Sequence, residues 1–384
     1  MKRGCTQCGE CLNVCPVFLQ FRREEYSPKA KRLLMEPLAP EYGGSEETAL
    51  LQWEAIRKYA RLCVGCGRCQ KSCARKLSTS DLLSDIRNRH PHWTQHFWKL
   101  WIAHMGPLWP SLGLLASIVP DSATPAALRP LHGAVRSFAD KPPETPWGKL
   151  RKSQWEEVDA SRPVMLFSGC TARHVRHRWT EKAQAMLSLW GYTLVDSSGF
   201  TCCGGSLHHA GQYEKMREME QQNIALWRAA EKPKIAVLCA SCYGTLVKYG
   251  EKVLEGTEAK EWKKSVYPLS RFLNGARLKA TSAMPNVSGY HTPCHWGNKD
   301  NDAKWLAKLI PGLQKGKHPC CGMGGILQMS NPGLSRSLAE STLAGFPSGT
   351  RHILAGCSGC VMQLNAAAGS EYQVMHWLDI MDVE

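Results

Sequence analysis

From residue 163 onward, short apolar runs alternate with amphipathic stretches. A short apolar run between turn residues predicts a buried strand, and apolar residues three or four apart predict a helix. The first part of this region gives strands at 164–167, 192–195, 235–238 and 265–269, and helices at about 173–190 and 212–230. The order returns after residue 285, with strands at 287–290, 352–355 and 372–375 and a helix at about 303–309. Strands alternating with helices predict an α/β fold of βα units on parallel sheets.

The amino-terminal region lacks such strand patterns and is predicted to be helical. Between residues 47 and 61, apolar residues fall at helical spacing. Residues 91–119 are rich in tryptophan, and one helical face there would carry Trp93, Phe97, Trp101, Met105 and Leu108. We expect Pro107 and Pro110 to break this run. Its helix either binds a membrane surface or a partner, or lies buried between domains.

The domain organisation follows from these changes of pattern. Residues 120–160 are rich in Pro, Ala and charge and predict a connector. We predict a helical amino-terminal domain at 1–90, a Trp-rich helix and connector at 91–160, and two βα domains at 161–276 and 285–384.

Two cysteine runs near the amino terminus have the spacing of a bacterial ferredoxin. The second run ends with Ala74 where the first has a proline. In such runs the fourth cysteine typically ligates the other cluster. We therefore predict one cubane [4Fe–4S] cluster on Cys5, Cys8, Cys11 and Cys73, and another on Cys63, Cys66, Cys69 and Cys15. A pair of zinc sites is the alternative.

A second cysteine pattern occurs twice in the βα region. Each copy has a single cysteine, then an adjacent pair followed by glycine, then a Cys-x-x-Cys. The first copy is Cys170, Cys202, Cys203, Cys239 and Cys242, and the second is Cys294, Cys320, Cys321, Cys357 and Cys360. In both copies 35 residues separate the pair from the Cys-x-x-Cys, whereas 31 and 25 residues precede the pair. The matching gap indicates an internal repeat.

Five thiolates from three segments suggest a metal centre larger than a single ion. Zinc is almost always satisfied by four ligands, whereas a cluster of several irons can use five. Glycine after each pair lets the backbone turn so that both sulfurs face one object. A vicinal disulfide and a thioredoxin-like redox pair are the alternatives for the separate motifs.

Composition narrows the cellular setting. Eighteen cysteines in a chain whose start shows no apolar leader favour metal or redox chemistry in a reducing compartment. No apolar stretch is long enough to span a bilayer. The 48 basic and 33 acidic residues give a net charge of +15, but the basic residues are dispersed and anionic clusters would offset part of the excess. We expect no nucleic-acid partner and a place on the cytoplasmic face of a membrane.

Together, the two ferredoxin runs and the two repeats resemble the D subunit of heterodisulfide reductase. They are similar also to the C subunit of anaerobic glycerol-3-phosphate dehydrogenase and to the iron–sulfur subunit of glycolate oxidase. The resemblance covers nearly the whole chain apart from residues 91–160. It implies an α-helical dicluster ferredoxin domain followed by two tandem cysteine-rich βα domains. It also implies two cubane clusters and two catalytic non-cubane [4Fe–4S] clusters, each held by the five cysteines of one repeat, so that all 18 cysteines are used.

Three functions remain open at this point. The chain is a heterodisulfide-reductase-like subunit whose clusters exchange electrons with a disulfide, a quinone or a membrane cytochrome. Alternatively, it is an electron conduit for a flavin-dependent dehydrogenase of 2-hydroxy acids or glycerol-3-phosphate. No flavin fingerprint occurs here, so the flavin would lie on a partner flavoprotein. The third possibility is an iron–sulfur regulator that binds nucleic acid.

Five histidines lie within a few residues of a predicted cysteine ligand, namely His208, His209, His291, His295 and His318. A histidine in such a place could relay protons. More often it donates a hydrogen bond to sulfur or to a carbonyl, and we assign these five no site role from the sequence.

Overall fold

The computed structural model describes residues 4–125, 129–139, 145–153, 163–296, 300–318 and 320–383. The chain forms two compact units, each built from three segments. The first unit comprises residues 1–104, 205–215 and 320–339, and the second comprises residues 105–204, 216–319 and 340–384.

The α-helices in chain order are α1 (Pro16–Phe21), α2 (Pro28–Met35), α3 (Glu46–Ala60), α4 (Arg68–Ser72), α5 (Thr79–Arg89), α6 (Trp93–Ala103), α7 (Met105–Ile118), α8 (Arg129–Arg136), α9 (Gly169–His174), α10 (His177–Leu189), α11 (Gly205–Ala210), α12 (Tyr213–Ala229), α13 (Ala240–Lys252), α14 (Gly256–Ser265), α15 (Asn301–Leu309), α16 (Leu327–Ser330), α17 (Pro332–Ala344) and α18 (Ser358–Ala367). Short 3-10 helices lie at Leu12–Val14, Glu24–Tyr26, Glu36–Leu38, Pro40–Tyr42, Asp121–Ala123, Leu269–Phe272 and Trp377–Ile380. The strands are β1 (Gly148–Lys152), β2 (Pro163–Phe167), β3 (Thr193–Val195), β4 (Lys234–Val237), β5 (Val266–Pro268), β6 (Ala276–Ala280), β7 (Ser288–His291), β8 (Leu313–Lys315), β9 (His352–Ala355), β10 (Gln373–His376) and β11 (Met381–Val383).

The first unit is helical in its described residues, as the sequence predicted. Its core packs residues of α2, α3 and α5, including Met35, Trp53, Leu83 and Ile86. Helix α2 begins with the Ser27 hydroxyl accepting a hydrogen bond from the Ala30 amide, which satisfies one of the free N–H groups of its first turn. The predicted α-helical character of the inter-motif segment is therefore confirmed.

Segments that follow the Cys-Cys pairs belong to the first unit rather than to the βα domains. Helix α11 contacts α5, where the buried Arg87 guanidinium donates to the His209 carbonyl at 2.8 Å and the Asn88 amide donates to the Gly211 carbonyl at 2.7 Å. Arg87 also donates to the Ala60 carbonyl, at 2.9 Å. The Arg87 side chain thus links a main-chain carbonyl of α3 to one of α11. No local sequence pattern predicts this link, because the two helices are far apart in the chain.

Two parallel four-stranded sheets form the centre of the second unit. Their strand orders are β3-β2-β4-β5 and β8-β7-β9-β10, so the second repeat reproduces the order of the first. The strands β2 and β9 are continuous apolar runs, because a parallel strand is covered on both faces. The predicted βα units on parallel sheets are confirmed.

Two details of the second unit differ from the sequence prediction. The predicted connector contains β1, the central strand of a third sheet with the order β11-β1-β6. The single helix expected over 173–190 is two helices, α9 and α10, because the chain leaves helical geometry at Arg176. The Arg176 guanidinium is buried and donates to the carbonyls of Ser137, Phe138 and Ala139 at 2.7–2.9 Å, and these bonds explain the interruption.

The tryptophan-rich stretch forms α6 and α7, with His104 between them in the chain. Pro107 and Pro110 lie inside α7, so the expectation that they end the run was wrong. Pro107 lies in the first turn, where the N–H groups have no intrahelical acceptor, whereas Pro110 lies in the interior of α7 and leaves the Gly106 carbonyl without its helical donor. Trp98 and Trp109 are buried, whereas Trp93 is 70% exposed. None of the helices in the described residues combines the length and apolar character that crossing a bilayer requires.

A buried carboxyl group ties together three segments of the second unit. Asp302, at the start of α15, accepts hydrogen bonds from the Ser270 hydroxyl at 2.5 Å and the Trp377 indole at 3.0 Å. Burial, and next the nearby Asp300, raise the pKa of Asp302 to about 7. Because the folded protein holds the proton more tightly than the unfolded chain, Asp302 contributes stability below its ordinary pKa and loses it as the pH rises through about 7.

Replacing this group tests that linkage. Asp302→Asn removes the titration, so the free energy of unfolding of the variant should gain on that of the wild type by about 1.4 kcal/mol for each pH unit between the ordinary carboxyl pKa and 7, and level off above it. Thermal unfolding of both proteins under anaerobic conditions at pH 5.0, 6.0, 7.0 and 8.5 measures the difference. If the stabilities of the wild type and Asp302→Asn changed in parallel with pH across this range, the raised pKa of Asp302 would be contradicted.

Candidate metal centres

The cysteines of the two ferredoxin runs line two cavities of the first unit. One cavity is bordered by Cys5, Cys8, Cys11, Cys73 and also Cys69. The other is bordered by Cys15, Cys63, Cys66 and again Cys69. The fourth cysteine of each run therefore lies with the leading cysteines of the other run, the exchange on which the predicted ligand sets depend. The ligand assignment itself stays a prediction.

Helix α2 supplies positive charge to both cavities. Lys29 and Arg32 border the first, and Lys31 borders the second. Lys31 is 1% exposed, and its ammonium donates to the Tyr26 carbonyl at 2.5 Å. Burial lowers the pKa of Lys31, while the neighbouring thiolates of Cys63 and Cys15 raise it. No sequence motif predicted that Lys31 would be a buried cation beside a cavity, because its position depends on how α2 packs against the two cysteine runs.

Three thiols of this module have a raised pKa and so resist ionisation in the absence of metal. Burial raises the pKa of Cys11 to about 11 and raises those of Cys15 and Cys69 as well. Metal binding must therefore displace protons, and the resulting thiolates are compensated by the cations of α2.

All five cysteines of the first repeat converge in the second unit. Cys202 lies within hydrogen-bonding distance of Cys170 and Cys203. Cys242 likewise lies within reach of Cys203 and Cys239. Four of the five are buried, and Cys170 is half-buried. The hydrogen bonds with Cys170 and Cys203, and then burial, raise the pKa of Cys202 well above its ordinary value.

The glycine after each adjacent pair has the backbone conformation that the sequence predicted. Gly204 has φ +76° and Gly322 has φ +82°. A Cβ at Gly204 would lie 2.8 Å from the Met216 side chain, and one at Gly322 would lie 2.2 Å from the Ser335 carbonyl oxygen. Only glycine fits both the turn and the close packing behind each pair.

The Cys-x-x-Cys motifs of the two repeats meet each other. Cys239 Sγ lies 3.8 Å from Cys357 Sγ. Two serines complete the contact, with Ser358 Oγ 3.2 Å from Cys239 Sγ and Ser241 Oγ 3.1 Å from Cys357 Sγ. The Ala240 amide also donates to the Gly356 carbonyl at 2.9 Å. Each repeat thus contributes a hydroxyl beside a sulfur of the other, a relation that the sequence analysis missed.

The cysteines of the second repeat are divided between the two units. Cys294, Cys357 and Cys360 belong to the second unit and Cys320 and Cys321 to the first. Cys320 lies in one buried apolar cluster with Val17 and Val64 of the first unit, two residues that themselves border the second ferredoxin cavity. Cys294 Sγ lies 3.4 Å from the Nδ1 atom of His295.

The donor set fits iron–sulfur clusters. All 18 cysteines lie in the described part of the chain, and none is in a disulfide. Soft thiolate ligands select zinc or iron–sulfur clusters, and five converging sulfurs exceed the four that zinc takes.

Comparison with known families identifies the modules. Residues 2–77 match the 4Fe-4S dicluster domain, and residues 164–247 and 288–365 each match the cysteine-rich domain whose name is abbreviated CCG. This is an iron–sulfur protein with one dicluster domain and two CCG domains. The resemblance predicted from the cysteine patterns is confirmed.

Relatives with this arrangement are similar over most of the chain. A probable glycolate oxidase iron-sulfur subunit of Bacillus subtilis is 22% identical over 94% of this chain and 88% of its own. The D subunit of the dihydromethanophenazine:CoB–CoM heterodisulfide reductase of Methanosarcina acetivorans is 22% identical over 88% of this chain and 82% of its own. The B subunit of the fumarate reductase (CoM/CoB) of Methanothermobacter marburgensis is also 22% identical, over 88% of this chain and 62% of its own.

The buried cation of the dicluster domain gives a first test of these centres. Lys31→Met removes a positive charge beside anionic clusters. Because the reduced cluster carries the greater negative charge, this loss favours the oxidised state. We expect a midpoint potential about 60 mV more negative, equivalent to ~1.4 kcal/mol for one electron. Lys71→Met is the matched control, because Lys71 is exposed. The midpoint potentials are measured by redox titration with EPR detection. Equal small shifts of the midpoint potential in both variants would show that Lys31 affects the clusters no more than an exposed lysine does.

The serine contacts between the CCG domains give a second test. A hydroxyl that donates to a ligand sulfur stabilises the reduced cluster, so Ser241→Ala should make one CCG potential more negative and leave the iron content unchanged. Ser358→Ala should do the same to the other CCG centre. Ser241→Thr, which keeps the hydroxyl, is the control. An unchanged potential in both alanine variants would show that the hydroxyls do not act on the centres.

Proposed function

We propose that this protein is the iron–sulfur subunit of a heterodisulfide-reductase-like oxidoreductase complex. In this proposal electrons pass between two cubane clusters and two five-cysteine non-cubane clusters, which exchange them with a disulfide, a quinone or a membrane cytochrome. The contact between Cys239 and Cys357 at 3.8 Å is the observation that carries it, because it brings a predicted ligand of each CCG domain together.

The ligand sets follow the two sequence patterns. Eight cysteines of the dicluster domain would hold the cubanes and the five cysteines of each repeat a non-cubane centre. Clusters of this kind supply one-electron transfer. The chain's own groups position these centres. Helix α2 places cations beside the proposed cubanes, and the packing around Gly204 and Gly322 fixes the paired sulfurs. Ser241 and Ser358 place a hydroxyl beside a sulfur of the other repeat.

Two adjacent one-electron centres suit an acceptor that takes two electrons. Reduction of a disulfide consumes two electrons and two protons, breaks the S–S bond and releases two thiols. A quinone takes the same number of electrons and protons to give a quinol. The meeting of the two CCG domains at Cys239 and Cys357 would let both electrons reach one acceptor without a free radical leaving the site.

A second candidate function is an electron conduit for a flavin-dependent dehydrogenase of 2-hydroxy acids or glycerol-3-phosphate. The relative from Bacillus subtilis, named for glycolate oxidase, favours it. In that case the flavin lies on a partner flavoprotein, and this chain passes electrons onward without reducing a disulfide itself.

We also propose attachment to the cytoplasmic face of a membrane through a protein partner. The net charge of +15 suits an anionic surface, and Leu114, Leu115 and Ile118 on α7 are 59–72% exposed. Membrane fractionation of the native complex, compared with a variant carrying Leu114→Ser and Ile118→Ser, tests the surface. Identical distribution of both proteins would assign attachment wholly to the partner.

Iron content is the direct test of the cluster count. The anaerobically reconstituted chain should hold about 16 iron atoms, and Cys203→Ser about 12, because one of four four-iron centres loses a ligand. Cys5→Ser is the matched control, since it should lose as much iron but from a cubane. A wild-type content near ~8 would mean that the CCG domains hold no cluster.

Electron acceptors separate the two candidate functions. Reduced viologen should be reoxidised by the reconstituted protein when a disulfide or a quinone is added, and Cys203→Ser should lose this activity. Reoxidation that requires an added flavoprotein and a 2-oxo acid, which takes two electrons and two protons to give the 2-hydroxy acid, would support the conduit instead.

A further inference from the structure

The two CCG domains carry different residues at the buried strand end that lies three residues before the first cysteine of each repeat. His291 is the last residue of β7, three residues before Cys294, and Phe167 is the last residue of β2, three residues before Cys170. The sheet registers agree, because Phe167 pairs with Val237 and His291 with Ala355. Both partners lie two residues before a Cys-x-x-Cys. His291 and Phe167 are therefore structural equivalents.

Their surroundings are different in kind. Phe167 is fully buried and packs against Phe200 with ring centroids 5.1 Å apart, as an apolar core residue does. His291 is 1% exposed, and neither ring nitrogen has a hydrogen-bond partner among the described residues. A buried imidazole without partners is costly, because its polar atoms give up water and receive nothing in return. We therefore expect a partner for this ring nitrogen, such as a metal atom.

The nitrogen lies beside a predicted ligand sulfur. A ring nitrogen of His291 and the Sγ atom of Cys360 are within 4.8 Å of each other, a distance at which both can bind one metal atom or neighbouring atoms of a cluster. Neutral imidazole is a common ligand of iron and zinc. The first repeat has no such donor at this strand end, because Phe167 occupies the place.

We propose that His291 is a nitrogen ligand of the metal centre held by the second CCG domain. That centre has a mixed sulfur and nitrogen donor set, whereas the centre of the first CCG domain is coordinated by sulfur alone. The inference rests on the proposed function only in taking the second repeat to hold an iron–sulfur cluster.

The difference in donors gives the two centres different potentials. In this assignment the neutral imidazole takes the place of one of the five thiolates of the second repeat, which removes negative charge from the cluster and raises its reduction potential, as in Rieske centres. The second CCG centre is then the stronger electron acceptor of the two. Electrons arriving at the first centre would move toward the second, through the contact of Cys239 with Cys357.

Nitrogen hyperfine spectroscopy tests the assignment. The protein is reconstituted anaerobically with iron and sulfide, reduced, and measured by pulsed EPR with natural and ¹⁵N-labelled histidine. We expect one strongly coupled nitrogen that changes with the isotope and disappears in His291→Phe. This variant copies the first repeat and should therefore fold. A redox titration should show the second CCG potential moving to more negative values while the first stays in place.

His295→Phe is the matched control, because its Nδ1 atom lies 3.4 Å from Cys294 Sγ. The strong coupling should survive in this variant. A coupling that persists in His291→Phe, or that is lost only in His295→Phe, overturns the proposal. Metal analysis keeps the proposed function separate: zinc in the second CCG domain with nitrogen lost from its X-ray absorption spectrum in His291→Phe would support the ligand and refute the cluster. A wild-type protein with its full iron content but no coupled nitrogen would support the cluster and refute His291 as its ligand.

Discussion

The approach of cysteine sulfurs from distant parts of the chain is the constraint on which the second unit depends. Cys239 and Cys357 lie 3.8 Å apart although 117 residues separate them along the chain. Each follows a buried strand of its own parallel sheet and precedes a helix, so the carboxyl ends of β4 and β9 must face one another. Open α/β folds generally bind their ligands at this edge, in the crevice outside the carboxyl ends of the strands.

Charge is the second constraint. A four-cysteine cubane carries about −2, and burying such a charge requires compensation nearby. Lys31, together with Lys29 and Arg32 of the same helix, borders the two cavities and would compensate the charge of the proposed cubanes. In that proposal the net charge of +15, which at first suggests a nucleic-acid or membrane partner, is in part an internal requirement of the metal sites.

Repetition in this protein does not mean equivalence. The two CCG domains share strand order, the glycine turn after the cysteine pair and the Cys-x-x-Cys helix start. They differ in the gap before the pair and at the strand end where His291 replaces the Phe167 of the first copy. In the proposed assignment, a duplicated fold that keeps its backbone and gains one buried donor has two redox centres with separate properties. Such a pair would direct electrons, which two identical centres cannot do.

The sequence by itself determined the cysteine motifs, the repeat and the alternation of strands and helices. These features are local or periodic: a cluster motif is read from spacing, and a parallel strand from an unbroken apolar run. It did not reveal β1, whose Gly148–Lys152 segment is polar and becomes a strand only between β6 and β11. Nor did it reveal the surroundings of Lys31, Ser241 and His291, on which the roles proposed for them rest. An ordinary lysine, serine or histidine acquires such a role from burial and from neighbours distant in sequence, and these are decided by the tertiary structure.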